Sequence, residues 1–172
     1  MSGKSLIAYF SRKGANYVNG NIVNLTIGNT EVAATLIKKI TRSDVFHIEK
    51  LKPYPEDYME CTEVAKMELS QNARPGLTSE VFDMDSYDVI YLGYPNWWGT
   101  FPMPVFTFLE AYDFSGKTII PFCTHEGSGM GRSESDIKKL CPGAKVKKGL
   151  SIRGSSVKGA EKEISKWVEN NL

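Results

Sequence analysis

The chain contains 172 residues, of which 41% are hydrophobic and 24% are charged, and its formal net charge is +1. This length fits one domain with a full-sized core, and no run of Lys or Arg forms the basic stripe typical of nucleic-acid binding. No apolar run is long enough for a membrane span or for the core of a signal peptide, so no membrane contact is expected.

Cysteine usage predicts a reducing compartment. Cys61, Cys123 and Cys141 are odd in number and widely spaced, and they form no C-x-x-C pair. We therefore expect free thiols, no metal site and a cytoplasmic protein.

Apolar residues recur with spacings that predict alternating strands and helices. Residues 4–10 form an apolar run bounded by polar residues, as in a buried strand, and residues 87–94 are apolar on both faces, as in a central parallel strand. The pattern Ser133-x-x-Asp136 is typical of a helix start. In chain order the prediction is strand 4–10, helix 30–41, strand 44–50, helix 56–71, strand 87–94, helix 102–112, strand 118–123, helix 133–141, strand 146–152 and helix 157–171.

Five strands alternating with five helices predict a three-layer α/β fold with a doubly wound, five-stranded parallel sheet in the order 2-1-3-4-5. No repeat or linker divides the chain, so residues 1–172 are expected to form a single domain. Ligands in such sheets bind at the carboxyl ends of the strands, near the switch point between strands one and three. This rule indicates three loops, residues 11–30, 95–101 and 124–132.

The first loop has the polar ends of an anion-binding loop. Gly28, Asn29 and Thr30 precede a predicted helix, whose exposed N–H groups and positive dipole end suit a phosphate. Gly28 would let the backbone approach the anion, and Ser11 and Thr30 would add hydroxyl donors. The alternative is that Asn29 or Thr30 serves only as the helix N-cap. The P-loop and G-x-G-x-x-G patterns are absent.

The second loop places two adjacent tryptophans, Trp97 and Trp98, directly after the predicted central strand. The flat face of Trp suits a planar ring, and we expect at least one of the two to contact a ligand or a partner subunit. Pro95 and Gly99 would fix a turn that presents backbone N–H groups. The alternative is that both tryptophans fill the core under the next helix.

The third loop carries three glycines in five residues, from Gly127 to Gly131, which would let the backbone approach a ligand closely. His125 would donate a hydrogen bond to a ligand oxygen or carry a proton; a surface histidine without such a role is the alternative. Placed at one edge of the sheet, the three loops predict a crevice for a phosphate joined to a large planar ring.

Three segments resemble the flavodoxin-like FMN-binding proteins: IAYFS with GNT, GYPNWWGTFPMPVFTFLE, and PFCTHEGSGMG. The similarity extends over nearly the whole chain and is strongest to small stand-alone flavodoxins described as NAD(P)H-dependent oxidoreductases. FMN is therefore the implied cofactor. The resemblance places Ser11, Asn29 and Thr30 at the phosphate, Pro95, Asn96, Trp97, Trp98 and Gly99 along the ribityl chain and ring, and Thr124, His125, Gly127 and Gly129 on the other side of the ring.

The resemblance also implies that the flavin carries the chemistry, with no catalytic side chain and with His125 and Glu126 as modulators. A glutamate facing the ring would disfavour the anionic reduced flavin, so Glu126→Gln is expected to raise the reduction potential. Two functions stay open: reduction of quinone-like or other small acceptors with NAD(P)H, and one-electron transfer between protein partners. The near-neutral charge favours the first, and an exposed Trp edge would suit a homodimer contact.

Two classes of protein without redox function are the alternatives. A receiver-type signalling domain has the same strand order, but it needs acidic residues after strand one and a phosphoacceptor Asp after strand three. This chain has Ser11 and Pro95-Asn96 at those places. A binding module that has lost its redox use is disfavoured by the paired tryptophans and the glycine-rich loop.

The first loop departs from the usual S-x-T-G-N-T pattern of the family because residues 12–27 are inserted. Asn19-Gly20 within this segment is a hairpin-turn signal. Our hypothesis is a hairpin that folds over the edge of the cofactor, covers Tyr17 and Ile22, and brings Arg12 or Lys13 to the phosphate. The alternative is a tolerated surface insertion, which costs little loop entropy.

Overall fold

In the computed structural model, which describes residues 3–172, a parallel sheet lies between two layers of helices. Short 3-10 turns at Met84–Ser86 and Gly154–Gly159 complete the secondary structure. The strands are β1 (Ser5–Tyr9), β2 (Gly14–Val18), β3 (Asn21–Leu25), β4 (Asp44–His47), β5 (Val89–Pro95), β6 (Thr118–His125), β7 (Lys145–Val146) and β8 (Leu150–Arg153). The helices are α1 (Asn29–Thr41), α2 (Tyr58–Ser70), α3 (Met103–Glu110), α4 (Ser133–Leu140) and α5 (Glu161–Asn170).

The main sheet runs in the order β4-β1-β5-β6-β7, and β8 also pairs with β6. All of these pairs are parallel. In terms of the predicted strands this is the order 2-1-3-4-5, so the predicted fold class is confirmed. The switch point lies between β1 and β5, whose carboxyl ends therefore define the expected ligand edge.

The prediction of one continuous fifth strand at residues 146–152 is wrong, because the edge is divided into β7 and β8. Pro121 in β6 explains the break. It lies between Ile119, which pairs with β7, and Phe122, which pairs with β8. A proline has no N–H to offer a neighbouring strand, so the ladder is interrupted there. Gly149 fills the gap, and a Cβ on it would lie 3.0 Å from Pro121.

The helix predicted to begin at Ser133 does begin there, but one predicted cap and one other helix start are corrected. Ser133 does not cap α4: its hydroxyl is buried, donates to the Met130 carbonyl at 2.6 Å and lies 3.0 Å from the Tyr94 hydroxyl, which donates to it. The predicted helix 157–171 begins with a 3-10 turn, and α5 starts only at Glu161. The hydroxyl of Ser133 thus packs on β5 through Tyr94 and is not available as a cap.

The sheet has a separate hydrophobic core on each face because alternate strand residues point to opposite sides. Leu6, Ala8 and Phe10 pack with α3 and α4 on one face, whereas Ile7 and Tyr9 pack with α1 and α5 on the other. Both layers leave the carboxyl ends of the central strands accessible, and the loops of the candidate site lie there.

Three expectations from composition can be compared with the structure. The three cysteines are free, as predicted, and the structure shows that they are also buried. None of the helices described between residues 3 and 172 is long and apolar enough to cross a membrane. In the same part of the chain, no group of three or more His, Cys, Asp or Glu side chains is arranged to hold a metal ion.

Candidate functional site

A cavity of about 240 Å³ opens at the carboxyl ends of the central strands, beside the switch point. Its other walls are formed by the segment 12–17, the first turn of α1 and the start of α2. Its lining residues are Arg12, Asn16, Tyr17, Asn29, Thr30, Tyr58, Pro95, Asn96, Trp97, Thr124, His125, Glu126 and Ser128. All three loops that the sequence indicated therefore meet in one cavity.

The α1 end of the cavity is built for close approach of the backbone. Gly28 is the N-cap residue of α1, and a Cβ on it would lie 2.2 Å from Ser11 Oγ and 2.6 Å from the Arg12 carbonyl oxygen. Ser11 Oγ accepts a hydrogen bond from Glu31 N at 3.1 Å. The first N–H groups of an α-helix have no acceptor within the helix, so the first turn of α1 is suited to bind an anion with the N–H groups that Ser11 does not already accept.

The Thr30 hydroxyl ties α1 to the end of β6. Its Oγ1 atom lies 2.8 Å from Thr124 Oγ1, and both side chains are buried. Neither Asn29 nor Thr30 is the N-cap residue, which is Gly28. The alternative reading of these two residues as simple caps is therefore wrong, and Ser11 supplies the capping oxygen from outside the helix.

The inserted segment forms an antiparallel hairpin of β2 and β3, and its turn is Asn19-Gly20. Both turn residues have positive φ, 52° and 86°, as a type I′ turn requires. The Asn19 N–H donates to Glu126 Oε1, so the turn reaches across to the third loop.

The hairpin contributes one wall of the cavity. Arg12 donates from Nε to the Ala15 carbonyl at 3.0 Å and from Nη2 to the Glu56 carbonyl at 2.9 Å, which fixes its side chain beside the cavity. The ring of Tyr17 lies 6.5 Å from that of Tyr58. The alternative carrier of positive charge, Lys13, is exposed and does not line the cavity.

The rest of the chain leaves two apolar residues of the hairpin largely uncovered. Tyr17 and Ile22 lie opposite each other in the hairpin, and they are 46% and 55% exposed. Two strands alone bury little apolar surface, because a hairpin has no second layer of its own on its outer face.

The two tryptophans have different roles. Trp97 is half-buried and lines the cavity, with its ring edge-on to Phe10 at 5.3 Å and to Tyr54 at 5.1 Å between centroids. Trp98 lies outside the cavity and is 47% exposed, and its Nε1 donates to the Thr62 carbonyl at 3.0 Å. Trp98 has a positive φ of 58°, so its side chain leaves the backbone in a different direction from the side chain of Trp97. The prediction of at least one Trp at the ligand edge therefore applies to Trp97.

Hydrogen bonds from Asn96 hold the second and third loops together. Asn96 donates from its backbone to the Thr124 carbonyl at 2.9 Å and from Nδ2 to the Gly129 carbonyl at 2.8 Å. Its Oδ1 accepts from Gly99 N at 3.0 Å. A Cβ on Gly131 would lie 2.2 Å from the Gly99 carbonyl oxygen, which explains why this position has no side chain. Gly99 and Gly129 thus shape the cavity without lining it.

His125 is held as a neutral imidazole at the end of β6. Its Nδ1 accepts a hydrogen bond from Gly127 N at 2.8 Å, which leaves the proton on Nε2. Burial lowers its pKa below the ordinary value of 6.5, and the Arg153 cation lowers it further, while Glu126 acts in the opposite direction. The cavity therefore has an N–H donor at His125 that carries no charge at neutral pH.

Sequence reasoning located most of this cavity but not all of it. Four lining residues were not predicted: Asn16, Tyr17, Tyr58 and Ser128. The hairpin signal predicted the strand that contains Tyr17, but nothing in the sequence places Tyr58, the first residue of α2, beside it. Glu126, predicted as a modulator, lines the cavity. The predicted cofactor-binding residues that line it are Arg12, Asn29, Thr30, Pro95, Asn96, Trp97, Thr124 and His125, and those that do not are Ser11, Gly28, Trp98, Gly99, Gly127 and Gly129.

These features fit a phosphorylated ligand with a planar ring. The first turn of α1, which lines the cavity with Asn29 and Thr30, suits a phosphate. Trp97 offers an aromatic wall, and Glu126 Oε2 is a buried oxygen without a hydrogen-bond donor among the described residues. The cavity therefore combines a helix start suited to an anion with an aromatic surface.

Comparison with known proteins identifies the family. The family model described as Flavodoxin matches residues 4–171, and the chain therefore belongs to the flavodoxin family. No curated protein sequence matches the chain.

Solved structures agree with this assignment. A protein assigned as a flavoprotein from Bacteroides eggerthii is 29% identical, with 98% of each chain covered and a TM-score of 0.79. Another from Bacteroides uniformis is 29% identical, with 98% of this chain and 99% of that chain covered and a TM-score of 0.76. A flavoprotein from Lactobacillus acidophilus, solved in complex with FMN, is 21% identical over 97% of this chain and 99% of that chain. Its TM-score of 0.68 shows similarity of fold alone.

Proposed function

We propose that this flavodoxin binds FMN in the cavity and acts as an oxidoreductase that reduces quinone-like or other small acceptors with NAD(P)H. The observation that carries the proposal is the meeting of the first turn of α1, at Asn29 and Thr30, and the Trp97 wall in one cavity. A phosphate and a flat ring are the two parts of FMN that these features suit.

The chain's contribution at the phosphate is charge and hydrogen bonding. The first turn of α1 presents N–H groups and the positive end of the helix dipole, and Arg12 lies beside it in the cavity lining. Arg12 is held there by the Ala15 and Glu56 carbonyls, so little side-chain entropy is lost when it meets an anion. Thr30 keeps the helix start against β6 through its buried hydroxyl bond to Thr124.

At the ring, the chain supplies orientation and exclusion of water. Bound FMN would supply the transfer of hydride or electrons, which no side chain here provides. Trp97 is braced by Phe10 and Tyr54, so it offers a rigid aromatic surface. His125 holds a proton at Nε2 and is neutral, so it donates a hydrogen bond to a ligand oxygen without adding charge.

A second function, one-electron transfer between protein partners, is favoured by exposed apolar residues that adjoin cavity-lining residues in the chain or in the hairpin. Tyr17, Ile22 and Trp98 are all about half exposed, and Met59 is 59% exposed. Exposed apolar residues around a site suit the docking of another protein. The net charge of +1 favours the small-molecule reaction, because it gives little long-range steering toward a charged protein partner.

An anaerobic steady-state assay tests the proposal. Protein loaded with FMN is mixed with NADH or NADPH and a soluble quinone, and the oxidation of the nicotinamide is followed. We expect oxidation that depends on the quinone and that falls in Trp97→Ala, whereas Trp98→Ala, outside the cavity, serves as the matched control. If the wild type does not oxidise the nicotinamide but, once chemically reduced, transfers electrons to a redox protein, the result supports the second function instead.

A further inference from the structure

The net charge of +1 is the sum of two segments of opposite charge and a neutral remainder. Residues 137–160 contain seven basic residues and no Asp or Glu, so this segment has a formal charge of +7. Residues 49–88 contain ten acidic and four basic residues, a formal charge of −6. We call the seven cations of the first segment the basic edge: Lys138, Lys139, Lys145, Lys147, Lys148, Arg153 and Lys158.

The fold places the two charged segments at opposite edges of the sheet. The strands of the basic edge, β7 and β8, pair only with β6 and form one outer edge. The helix α4 contacts β7, and the 3-10 turn at Gly154–Gly159 contacts β8, so the cations of these elements lie along the same edge. Residues 49–88 follow β4, which is the outer strand on the other side. Positive and negative charge are therefore separated across the sheet.

The cations of the basic edge have no anionic partners of their own. None of them forms a salt bridge within residues 3–172, whereas Lys39, Lys50 and Arg74 elsewhere in the chain do. All seven are exposed except Lys147, which is half-buried. Because unpaired like charges repel one another, a partner that presents negative charge would relieve the repulsion along this edge.

One end of the basic edge reaches the cavity. Arg153 donates from Nη1 to the Glu126 carbonyl at 3.2 Å, and Glu126 lines the cavity. From Lys145 to Arg153 the chain spans at most about 27 Å, since strand residues rise about 3.3 Å each. This length suits a protein interface, which buries about 800 Å² on each partner. A protein bound along the basic edge would therefore lie next to the cavity.

The residues of this segment favour an acidic protein over other anionic partners. Residues 137–160 contain no aromatic residue, whereas proteins that bind single-stranded nucleic acid stack bases on aromatic side chains. The large apolar side chains that are exposed within residues 3–172 all lie outside the segment, so it offers no apolar group for insertion into a bilayer. Carboxylates on a folded protein need only charged hydrogen-bond donors, which lysine and arginine supply.

We propose that the basic edge is a docking surface for a one-electron redox protein with an acidic face, which exchanges electrons with flavin bound in the cavity. This inference rests on the proposed binding of FMN and adds a protein to the small-molecule partners of that site. In each transfer one electron passes between the redox centre of the partner and the flavin, so that one is oxidised and the other reduced, and no covalent bond forms or breaks. Salt screens exposed charges beyond about 10 Å at 0.1 M ionic strength, so the basic edge acts on a partner that is already close.

Lysines on an outer strand also prevent edge-to-edge association of sheets, and charge reversal distinguishes this role from docking. Charge of either sign protects an edge, whereas only positive charge attracts an acidic protein. The test variant combines Lys145→Glu with Lys148→Glu, at exposed residues outside the cavity lining. The control variant combines Lys38→Glu with Lys52→Glu, at exposed lysines outside the basic edge, and changes the net charge by the same amount.

The probe is a plant-type ferredoxin, an acidic protein with a two-iron, two-sulfur cluster, which is reduced beforehand and mixed by stopped flow with each protein loaded with FMN. Flavin reduction gives the second-order rate constant. We expect the wild-type rate constant to fall as salt is added, and that of the test variant to be lower by on the order of ten-fold at low salt. The control should stay within about two-fold of the wild type. Thermal unfolding and FMN titration should give the same stability and affinity for all three proteins.

Several results would overturn the docking surface while the proposed function stands. One is an equal rate constant for the wild type and the test variant, and another is an equal loss in the test variant and the control. A third is binding of a DNA duplex or of anionic lipid vesicles that the test variant loses while its rate constant with ferredoxin is unchanged. If the wild type binds no FMN, the proposed function itself fails, and the electron exchange assigned to the basic edge fails with it.

Discussion

Gly28 shows how a single residue shapes the candidate phosphate end. It lies so close to Ser11 Oγ and to the Arg12 carbonyl that any side chain would displace backbone as well as a hydroxyl. The same close approach joins the two ends of the inserted hairpin. Glycine is required here for space, since its backbone conformation is extended, with φ of −64°.

Gly28→Ala is expected to weaken FMN binding by on the order of ten-fold and to destabilise the fold by about 1–3 kcal/mol, as overpacking does. Both effects follow from the 2.6 Å distance between the added Cβ and the Arg12 carbonyl oxygen. Flavin titration and urea unfolding measure them. Gly159→Ala is the control, because no described atom outside its chain neighbours lies within 4 Å of a Cβ there. Equal effects of the two substitutions would contradict this account of the close contact at Gly28.

His125 links the site to pH. Its folded-state pKa is lowered, first by burial and then by Arg153, so the unfolded chain takes up this proton first as the pH falls. The free energy of unfolding should therefore decrease as the pH drops below the ordinary value of 6.5, and it should be unaffected by this group well above that value.

His125→Gln should remove this part of the pH dependence. Urea unfolding of both proteins, measured between about pH 7.5 and pH 5, gives the two slopes. The wild type should lose more stability on acidification than the variant. Identical slopes would show that the environment of His125 does not favour the neutral form.

At the scale of elements, the hairpin is an addition to the sheet and a wall of the cavity. It pairs only with itself and contacts the body through Glu126, Glu56 and Tyr58. Its two ends meet at Arg12 and Gly28, so the chain can be closed without it.

Replacing residues 13–26 by two glycines should leave cooperative unfolding intact and weaken FMN binding by at least on the order of ten-fold. The reason is that Asn16 and Tyr17 are lost and Arg12 loses its contact with Ala15. Ile22→Ser keeps the hairpin and its cavity wall and serves as the control. If the deletion leaves FMN affinity unchanged, the segment is a tolerated surface insertion.

A buried polar network supports the aromatic wall from behind. Lys50 Nζ lies 2.7 Å from Glu68 Oε2, with the side chains only 11% and 14% exposed. Tyr54 donates its hydroxyl to the other oxygen of Glu68, and burial together with this bond raises the Tyr54 pKa. Because Tyr54 packs edge-on against Trp97, the network connects α2 to the cavity.

Glu68→Gln should destabilise the protein by about 3–5 kcal/mol, since it leaves the Lys50 cation buried without its partner. Lys50→Met combined with Glu68→Met should recover much of the loss. Lys39→Gln breaks an exposed pair with Glu161 and should cost at most about 1 kcal/mol. Urea unfolding compares the three, and similar small losses in all of them would contradict a structural role for the network.

The sequence predicts this fold well where local pattern and tertiary contact agree. The central strands are apolar runs, and Asn19-Gly20 specifies its own turn, so both were found. The break in the edge strand could not be predicted from the pattern of that strand, because it depends on Pro121 in the neighbouring strand. Which tryptophan lines the cavity also depends on a backbone angle, the positive φ of Trp98, that residue identity does not give.

At the scale of the whole molecule, topology assembles the site. The order β4-β1-β5-β6-β7 brings the loops after β1, β5 and β6 to one edge. Thr30 in the first loop and Thr124 in the third are 94 residues apart in the chain, and the hydrogen bond between their hydroxyls joins the two loops. The family match over residues 4–171 and the confirmed fold place this arrangement among the flavodoxins.

The central claim is that this cavity binds FMN through both its phosphate and its ring. The most direct measurement is a titration of the purified protein with FMN and with riboflavin, followed by visible absorption and flavin fluorescence. We predict saturable binding of FMN with a perturbed flavin spectrum, and riboflavin binding weaker by at least on the order of ten-fold because it lacks the charge-assisted phosphate contacts. Equal affinity for the two, or no saturable binding of FMN, would contradict the account.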